Sequence, residues 1–406
     1  MLRVRNLRIV DVTDGSVSAP SSIVMARGRI EALEPAAPLS GALDANGMFL
    51  CPGLIDGHVH FFFDCGASPR ASFAASDDLA RLELARRNAR VALESGITTM
   101  RDCGAPAPLV FELQREIDAG STPGPHILAC GTPIMRVAGH CHFLGGEVGS
   151  VRDVRRHVER QLAQGASFVK LIASGGGLTP GTDPAAADLP AEFIGAAVEA
   201  AHAHGVQVTA HCHATESITR AVDQRIDMIE HASFVEASGT YRYDDGVAQR
   251  IRDAGIAVSP TVIAALRTAR RFRASGARHN PLDVSAIERL EGRLTNVGHF
   301  RRLGARILAG TDCGCTDTPF SSLVDELLAY AAAGMSNLAA LQSATAAAAG
   351  ILGLKGVGEV RVGARADLIL LDGNPLEDLT ALRAPRMVWK SGQVVHERKS
   401  PAPPPP

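Results

Sequence analysis

Residues 51–64 read CPGLIDGHVHFFFD. Pro52 and Gly53 interrupt the chain just before an apolar run, and the run closes on two histidines one residue apart. A short apolar run bounded by Pro and Gly reads as a buried strand. On a strand, residues i and i+2 point the same way, so His58 and His60 can grip one cation together. Three other His-x-His pairs occur, at 140–142, 202–204 and 211–213. Their address along the chain must separate them, because their spacing cannot.

Outward from this stretch, short apolar runs alternate with helical patterns. Candidate strands lie at 51–60, 97–102, 126–131, 167–173, 207–212, 227–232, 256–262 and 306–312. In SVRDVRRHVERQLAQG (150–165), Val151, Val154, Val158 and Leu162 share one stripe, Ser150 suits the N-cap and Gly165 the stop. Strands and helices in alternation predict an α/β fold, a (β/α)8 TIM barrel over 51–349. Both ends have a different texture. LRVRNLRIVDV, SSIVMARGRIEAL and GALDANGMFL, and later GEVRVGARADLILLDGN and PRMVWKSGQVVHE, are β-like runs separated by turns. They predict a small β-sandwich domain built from both termini, 1–50 and 350–398, followed by a Pro-rich tail at 399–406.

The composition is that of an ordinary globular chain: 406 residues, 46% hydrophobic and 21% charged. A net charge of −2 argues against a nucleic-acid surface or a polybasic membrane patch. No run approaches the roughly 20 apolar residues of a membrane span, and the N-terminus reads as a strand rather than a signal peptide. The 8 cysteines follow no framework spacing, which points to reduced thiols and a cytoplasmic setting.

Barrel active sites sit at the C-terminal strand ends. There the sequence places His58 and His60, Lys170, His211, His231 and Asp312. Neutral imidazoles and a carboxylate suit zinc and similar divalent ions. A cationic lysine among them is out of place. Burial should depress its pKa, and a neutral Lys170 could take up carbon dioxide as a carbamate.

With PGLIDGHVH, VKLIASGG, VTAHCHA, IEHASF, AGTDCG and the closing SATAAAAGILGLKGVGEVRVGARADLILLDGNPLEDL, nearly the whole chain resembles the amidohydrolase superfamily. The resemblance is to its binuclear branch, with prolidase-like dipeptidases and ochratoxin-hydrolysing amidases, and more distantly to imidazolonepropionase. It implies two divalent metals, zinc by default, with His58, His60 and Asp312 on the first and His211 and His231 on the second. It further implies a bridging carbamate on Lys170, a small-molecule substrate and a homo-oligomer. His140, after the third strand, best matches a substrate-touching histidine of the prolidase-like relatives, with His142 second.

The remaining pairs read differently. His202 and His204 end a helix at the opposite barrel end, where i and i+2 diverge. His213 is expected in the loop past the fifth strand, near the site but off the metal. For a substrate carboxylate the loop GTYRYDDG (239–246) offers Tyr241, Arg242 and Tyr243, and PIMRVAGH (133–140) offers Arg136. The expected reaction is hydrolysis of the amide of a dipeptide, Xaa-Pro or similar, or of an N-acyl amino acid. A hydroxide shared by the metals would attack, with Asp312 as proton carrier and His140 at the oxyanion. Two alternatives stand beside it: hydrolysis of a cyclic amide, carbamate or aryl urea, and a non-catalytic barrel scaffold.

Overall fold

The computed structural model describes residues 1–35, 41–274 and 281–398, with side chains of 281–284 omitted, so the tail at 399–406 lies outside the described residues. Eight parallel strands occupy the middle of the chain: β1 (Leu54–Val59), β2 (Ile97–Asp102), β3 (His126–Ala129), β4 (Val169–Ile172), β5 (Val208–Ala214), β6 (Met228–Val235), β7 (Ala257–Ser259) and β8 (Arg306–Ile307). The first three form one sheet in sequence order and the last five another. Backbone bonds also run between the two sheets. Ser167 N donates to Ala129 O at 2.8 Å beside β3 and β4, and Gly57 N donates to Ala309 O at 2.8 Å between β1 and the segment after β8. Helices separate the strands, giving the α/β class that the alternation predicts.

The helix Val151–Ala163 shows how sequence sets these elements. Ser150 accepts from Asp153 N as N-cap, and Gly165 turns away at φ 104°. Its buried face differs in part from the apolar stripe. Val154 and Val158 are buried together with His157 and Gln161. Those two polar groups are satisfied by Thr132, whose carbonyl lies 2.9 Å from His157 Nε2 and whose N–H donates to Gln161 Oε1 at 3.1 Å.

Both termini supply strands to one further sheet of eight. Its order is Gln393–Glu397, Met387–Lys390, Leu368–Leu371, Phe49–Pro52, Leu2–Ile9, Ser21–Ala26 and Arg29–Pro35, with Leu43–Asp44 pairing Leu2–Ile9. The stretch SSIVMARGRIEAL thus folds into two strands. Arg27 and Gly28 turn between them at φ 51° and 77°, the left-handed geometry of a tight hairpin. Val4, Leu7, Ile23, Met25, Leu50, Leu368, Leu370 and Trp389 form a core of their own, separate from the main one. The opening stretch joins the two regions. Phe49–Pro52 belongs to the terminal sheet, and after Gly53 the chain enters β1. The helix Ala346–Ile351 runs across position 349/350, and the C-terminal strands begin at Leu368. No helix among the described residues is long and apolar enough to cross a membrane.

Candidate metal centre

The polar residues expected at the strand ends do converge. His58 lies in β1 and His60 one residue beyond it; Lys170, His211 and His231 lie in β4, β5 and β6; Asp312 follows β8. His58 Nε2 is 3.3 Å from His60 Nε2, and each is 3.4 Å from Asp312 Oδ1. A tetrahedral zinc site with ligands at about 2.0–2.1 Å has ligand-to-ligand edges of about 3.3–3.4 Å. This triangle of donors therefore fits one such ion. The His231 ring stands 5.1 Å from that of His58 and 4.5 Å from that of His211, so a second pair adjoins the first group.

Each imidazole is held by its other nitrogen, as metal-binding histidines require. His58 Nδ1 faces Glu230, and His60 Nδ1 is 3.1 Å from Gly104 O. His211 Nε2 is 3.1 Å from Gly175 O, and His231 Nδ1 is 2.7 Å from Thr261 Oγ1. The nitrogens left over are Nε2 of His58, His60 and His231 and Nδ1 of His211. Burial and neighbouring positive groups keep His211 and His231 well below the ordinary histidine pKa, so both rings are neutral. Burial works against ionised Asp312, yet His58 and His60 outweigh it and hold the carboxyl below its usual range.

Backbone strain marks the same place. His231, Thr261 and Asp312 have φ of 69°, 51° and 59°, values that non-glycine residues rarely adopt. Gly310 explains the glycine of AGTDCG. A Cβ there would lie 2.5 Å from Ser259 Oγ and 2.8 Å from His58 Cβ. Gly176 does the same for the turn after β4, since its Cβ would meet His140 Nε2 at 2.6 Å.

Two expectations need correction. His213 lies within β5, buried, rather than in a following loop. A bulge between β5 and β6 accommodates it, with the pairing slipping after Cys212. Lys170 is not a depressed, neutral amine. Burial lowers its pKa, but the carboxylate of Glu230 pairs with it and leaves it raised. Glu230 is the residue that reading the sequence missed. Fully buried, it meets Lys170 and His58, takes 2.9 Å from an Arg101 Nη1 donor and accepts from Thr209 Oγ1 at 2.8 Å. Its signal was a charged residue inside the otherwise apolar strand MIEHASFV, adjacent to a histidine. Asp56 and Asp102 were also passed over. Asp56 accepts from Thr311 Oγ1 at 2.7 Å and ties β1 to the Asp312 segment, while Asp102 accepts from Phe61 N at 2.9 Å and Gly104 N at 3.0 Å behind His60.

The proposed substrate side chains are placed as follows. His140 is buried with its ring 5.0 Å from that of His211, and burial lowers its pKa to about 4. Tyr241 donates to Asn296 Oδ1 at 2.8 Å, and Tyr243 stacks on His299 with centroids 4.1 Å apart. Arg136 pairs with Asp188 at 3.0 Å, and exposed Arg242 lies 3.5 Å from Glu236. His142 Nδ1 is 3.0 Å from Gly139 O. The 202–204 pair is apart from all of these, bonded at the surface to Asp227 and Glu159.

Comparison with known proteins bears on this geometry. The model of the amidohydrolase family matches residues 49–395. An ochratoxinase of Aspergillus niger is 28% identical over 385 residues, 85% of this chain and 75% of that protein. The crystal structure of a Xaa-Pro dipeptidase with methionine bound in its active site superposes with a TM-score of 0.88 at 25% identity, covering 98% of this chain and all of the other. That of a prolidase complexed with N-methylphosphonate-L-proline gives 0.85 at 25% identity over 98% of this chain and 100% of the other.

Proposed function

This chain belongs to the amidohydrolase family and is a hydrolase of C–N bonds; on that premise we propose that it cleaves the amide of a dipeptide or N-acyl amino acid. The relatives named for ochratoxin and Xaa-Pro hydrolysis support this choice. The observation that carries it is the donor set: three ligand atoms at 3.3–3.4 Å beside two further histidines with free nitrogens. We place it at the open end of a closed (β/α)8 barrel spanning 51–349, with 1–50 and 350–398 as a small β-sandwich domain.

In this reading His58, His60 and Asp312 hold one divalent cation and His211 and His231 a second, with zinc as the default. Bound there, the cations supply an activated water near neutral pH and a Lewis acid for the carbonyl. Lys170 pairs with the same Glu230 that faces His58 Nδ1, and as a carbamate it would add oxygen ligands to this centre. Forming the carbamate requires Lys170 to leave its ion pair with Glu230 and to lose two protons in all, one to become the neutral amine and one as that amine adds to carbon dioxide. Asp312 accepts the proton of the attacking water at the carboxylate oxygen turned away from the donor triangle and returns it to the departing nitrogen. Neutral His140 donates a hydrogen bond to the carbonyl oxygen as charge grows on it. Buried Glu230 and Thr261 keep His58 and His231 turned so that Nε2 faces inward.

The test is a panel of dipeptides including Xaa-Pro, N-acyl amino acids, lactams, carbamates and aryl ureas, run beside elemental analysis. Turnover of linear amides with bound metal is expected. Turnover confined to lactams, carbamates or ureas would move the assignment to those substrates. Absence of both metal and turnover would favour a scaffold.

A further inference from the structure

Helix Pro281–Leu303 drives one arginine into the floor of this site. Arg293 is 7% exposed. Its Nε donates to Ser233 Oγ at 3.1 Å, and its Nη1 donates to Thr261 Oγ1 at 2.9 Å and Thr261 O at 3.3 Å. Nη2 has one contact, 3.4 Å to His213 Nδ1. Among the described residues no carboxylate pairs with it, although 28 ion pairs occur elsewhere. Its contacts are hydroxyls, a carbonyl and the His213 and His231 imidazoles, while Asp312 acts on it through space without touching it; a guanidinium so buried is costly without an anion in contact.

The same contacts fix His213. Arginine can only donate hydrogen bonds. Ser233 Oγ accepts from Arg293 Nε, so its own hydrogen points to His213 Nδ1, 2.9 Å away. His213 Nδ1 is thereby an acceptor, and the ring hydrogen sits on Nε2. That Nε2–H has no partner among the described residues, in a side chain that is 7% exposed. His211 is the opposite case. Its Nε2 bonds Gly175 O and its Nδ1 is bare. One His-x-His pair therefore presents one metal ligand and one hydrogen-bond donor.

We infer that His213 Nε2–H and Arg293 Nη2 form a subsite for a carboxylate of the substrate, and that His213 is not a metal ligand. This inference rests on the amide-hydrolase reading and names its substrate class: amides whose leaving amine carries a free carboxylate, as in dipeptides and N-acyl amino acids. A planar anion with two oxygens suits a guanidinium edge beside an imidazole N–H. Arg289, one turn earlier and half-buried, bonds Gly239 O at 2.7 Å and likewise pairs with no carboxylate among the described residues. It adds positive potential on the same side.

The experiment compares N-acetyl-L-amino acids with their carboxamides on the metal-loaded full chain, by steady-state kinetics and by calorimetric binding. Wild type should favour the free acid by about 100-fold, the scale of a charge-assisted contact. R293M should bring the two within about fivefold through KM, R293K should fall between, and R289M should lose less. H213Q should keep its full metal content and weaken the acid alone. Equal binding of acid and carboxamide by wild type would overturn the subsite. Loss of metal in folded H213Q would overturn it too, by making His213 a ligand. Preferential acid binding without cleavage of any amide would uphold the subsite and sink the hydrolase reading.

Discussion

Trp389 and Lys170 are about equally buried, at 0% and 2% exposure, in two regions built on opposite principles. Around Trp389 the terminal sheet packs apolar side chains such as Val4, Leu7, Met25 and Leu368 on antiparallel and parallel ladders, with left-handed backbone at the polar residues Asn6, Arg27, Asn46 and Ser391. Around Lys170 the strand ends bury histidines, carboxylates and arginines, with His231, Thr261 and Asp312 in left-handed backbone. Burial in the first region lowers free energy by removing hydrocarbon from water. In the second it raises the free energy of each charged group, and only neighbours of opposite sign or a bound ion offset it. The difference teaches that the first region is built for stability and the second for chemistry.

The comparison breaks most visibly at Asp312. Asp312→Asn keeps the size of the side chain and removes the proton acceptor. Turnover should fall by about 10²–10⁴-fold while much of the bound metal remains. Elemental analysis beside kcat would check it, and near-normal kcat would remove Asp312 from proton transfer.

Lys170→Ala tests the centre differently. It also leaves Glu230 without its ammonium partner, so metal content should fall to about half or less, with turnover down by about 10–100-fold. Formate or acetate in the buffer should restore part of both if a bridging carbamate is the missing group. Full metal loading in the variant would remove the bridge.

How much of this contrast was readable beforehand follows from the range of each signal. β2 at Ile97–Asp102 matches its apolar run, and Ser150 caps its helix, because both are local patterns. The histidines were legible for the same reason, as i, i+2 pairs at strand ends. Glu230 and Arg293 were not, since their partners lie 21 or more residues away on other elements. A signal for Arg293 did exist. It shares a helical stripe with Asn296, Val297 and Phe300, all buried, where an apolar residue would ordinarily stand. His213 was misplaced because a register slip after Cys212 carries β5 on to Ala214, and periodicity does not reveal a bulge.

In the terminal sheet, Trp389→Ala should leave kcat per folded molecule unchanged. It should destabilise the protein by about 3–5 kcal/mol, the usual result of emptying a buried Trp site. Denaturant unfolding followed beside metal content would check it. Loss of metal at full folding would mean that the two regions are coupled more tightly than their separate cores imply.

The smallest effect on stability is expected at Glu326, which lies between the two principles: buried like Trp389, ionisable like Lys170. It accepts from Val262 N at 2.8 Å and Ile263 N at 2.6 Å, and burial raises its pKa to about 8. An unfolded glutamate titrates near 4.5. Between those values the folded state keeps a proton that the unfolded state has lost. Its contribution is therefore fully present below about pH 4.5 and is lost as pH rises through about 8. Glu326→Gln cannot lose that proton, so the variant should gain on the wild type as pH rises from 5 to 8. The Tm difference between them should change with pH by about 1 °C for each kcal/mol, because the unfolding entropy grows with chain length. The Gln amide forfeits one of the two backbone acceptors, which offsets Tm by a constant and leaves the slope intact. A Tm difference independent of pH would show that the two N–H donors of helix Val262–Ala274 keep Glu326 ionised in the fold.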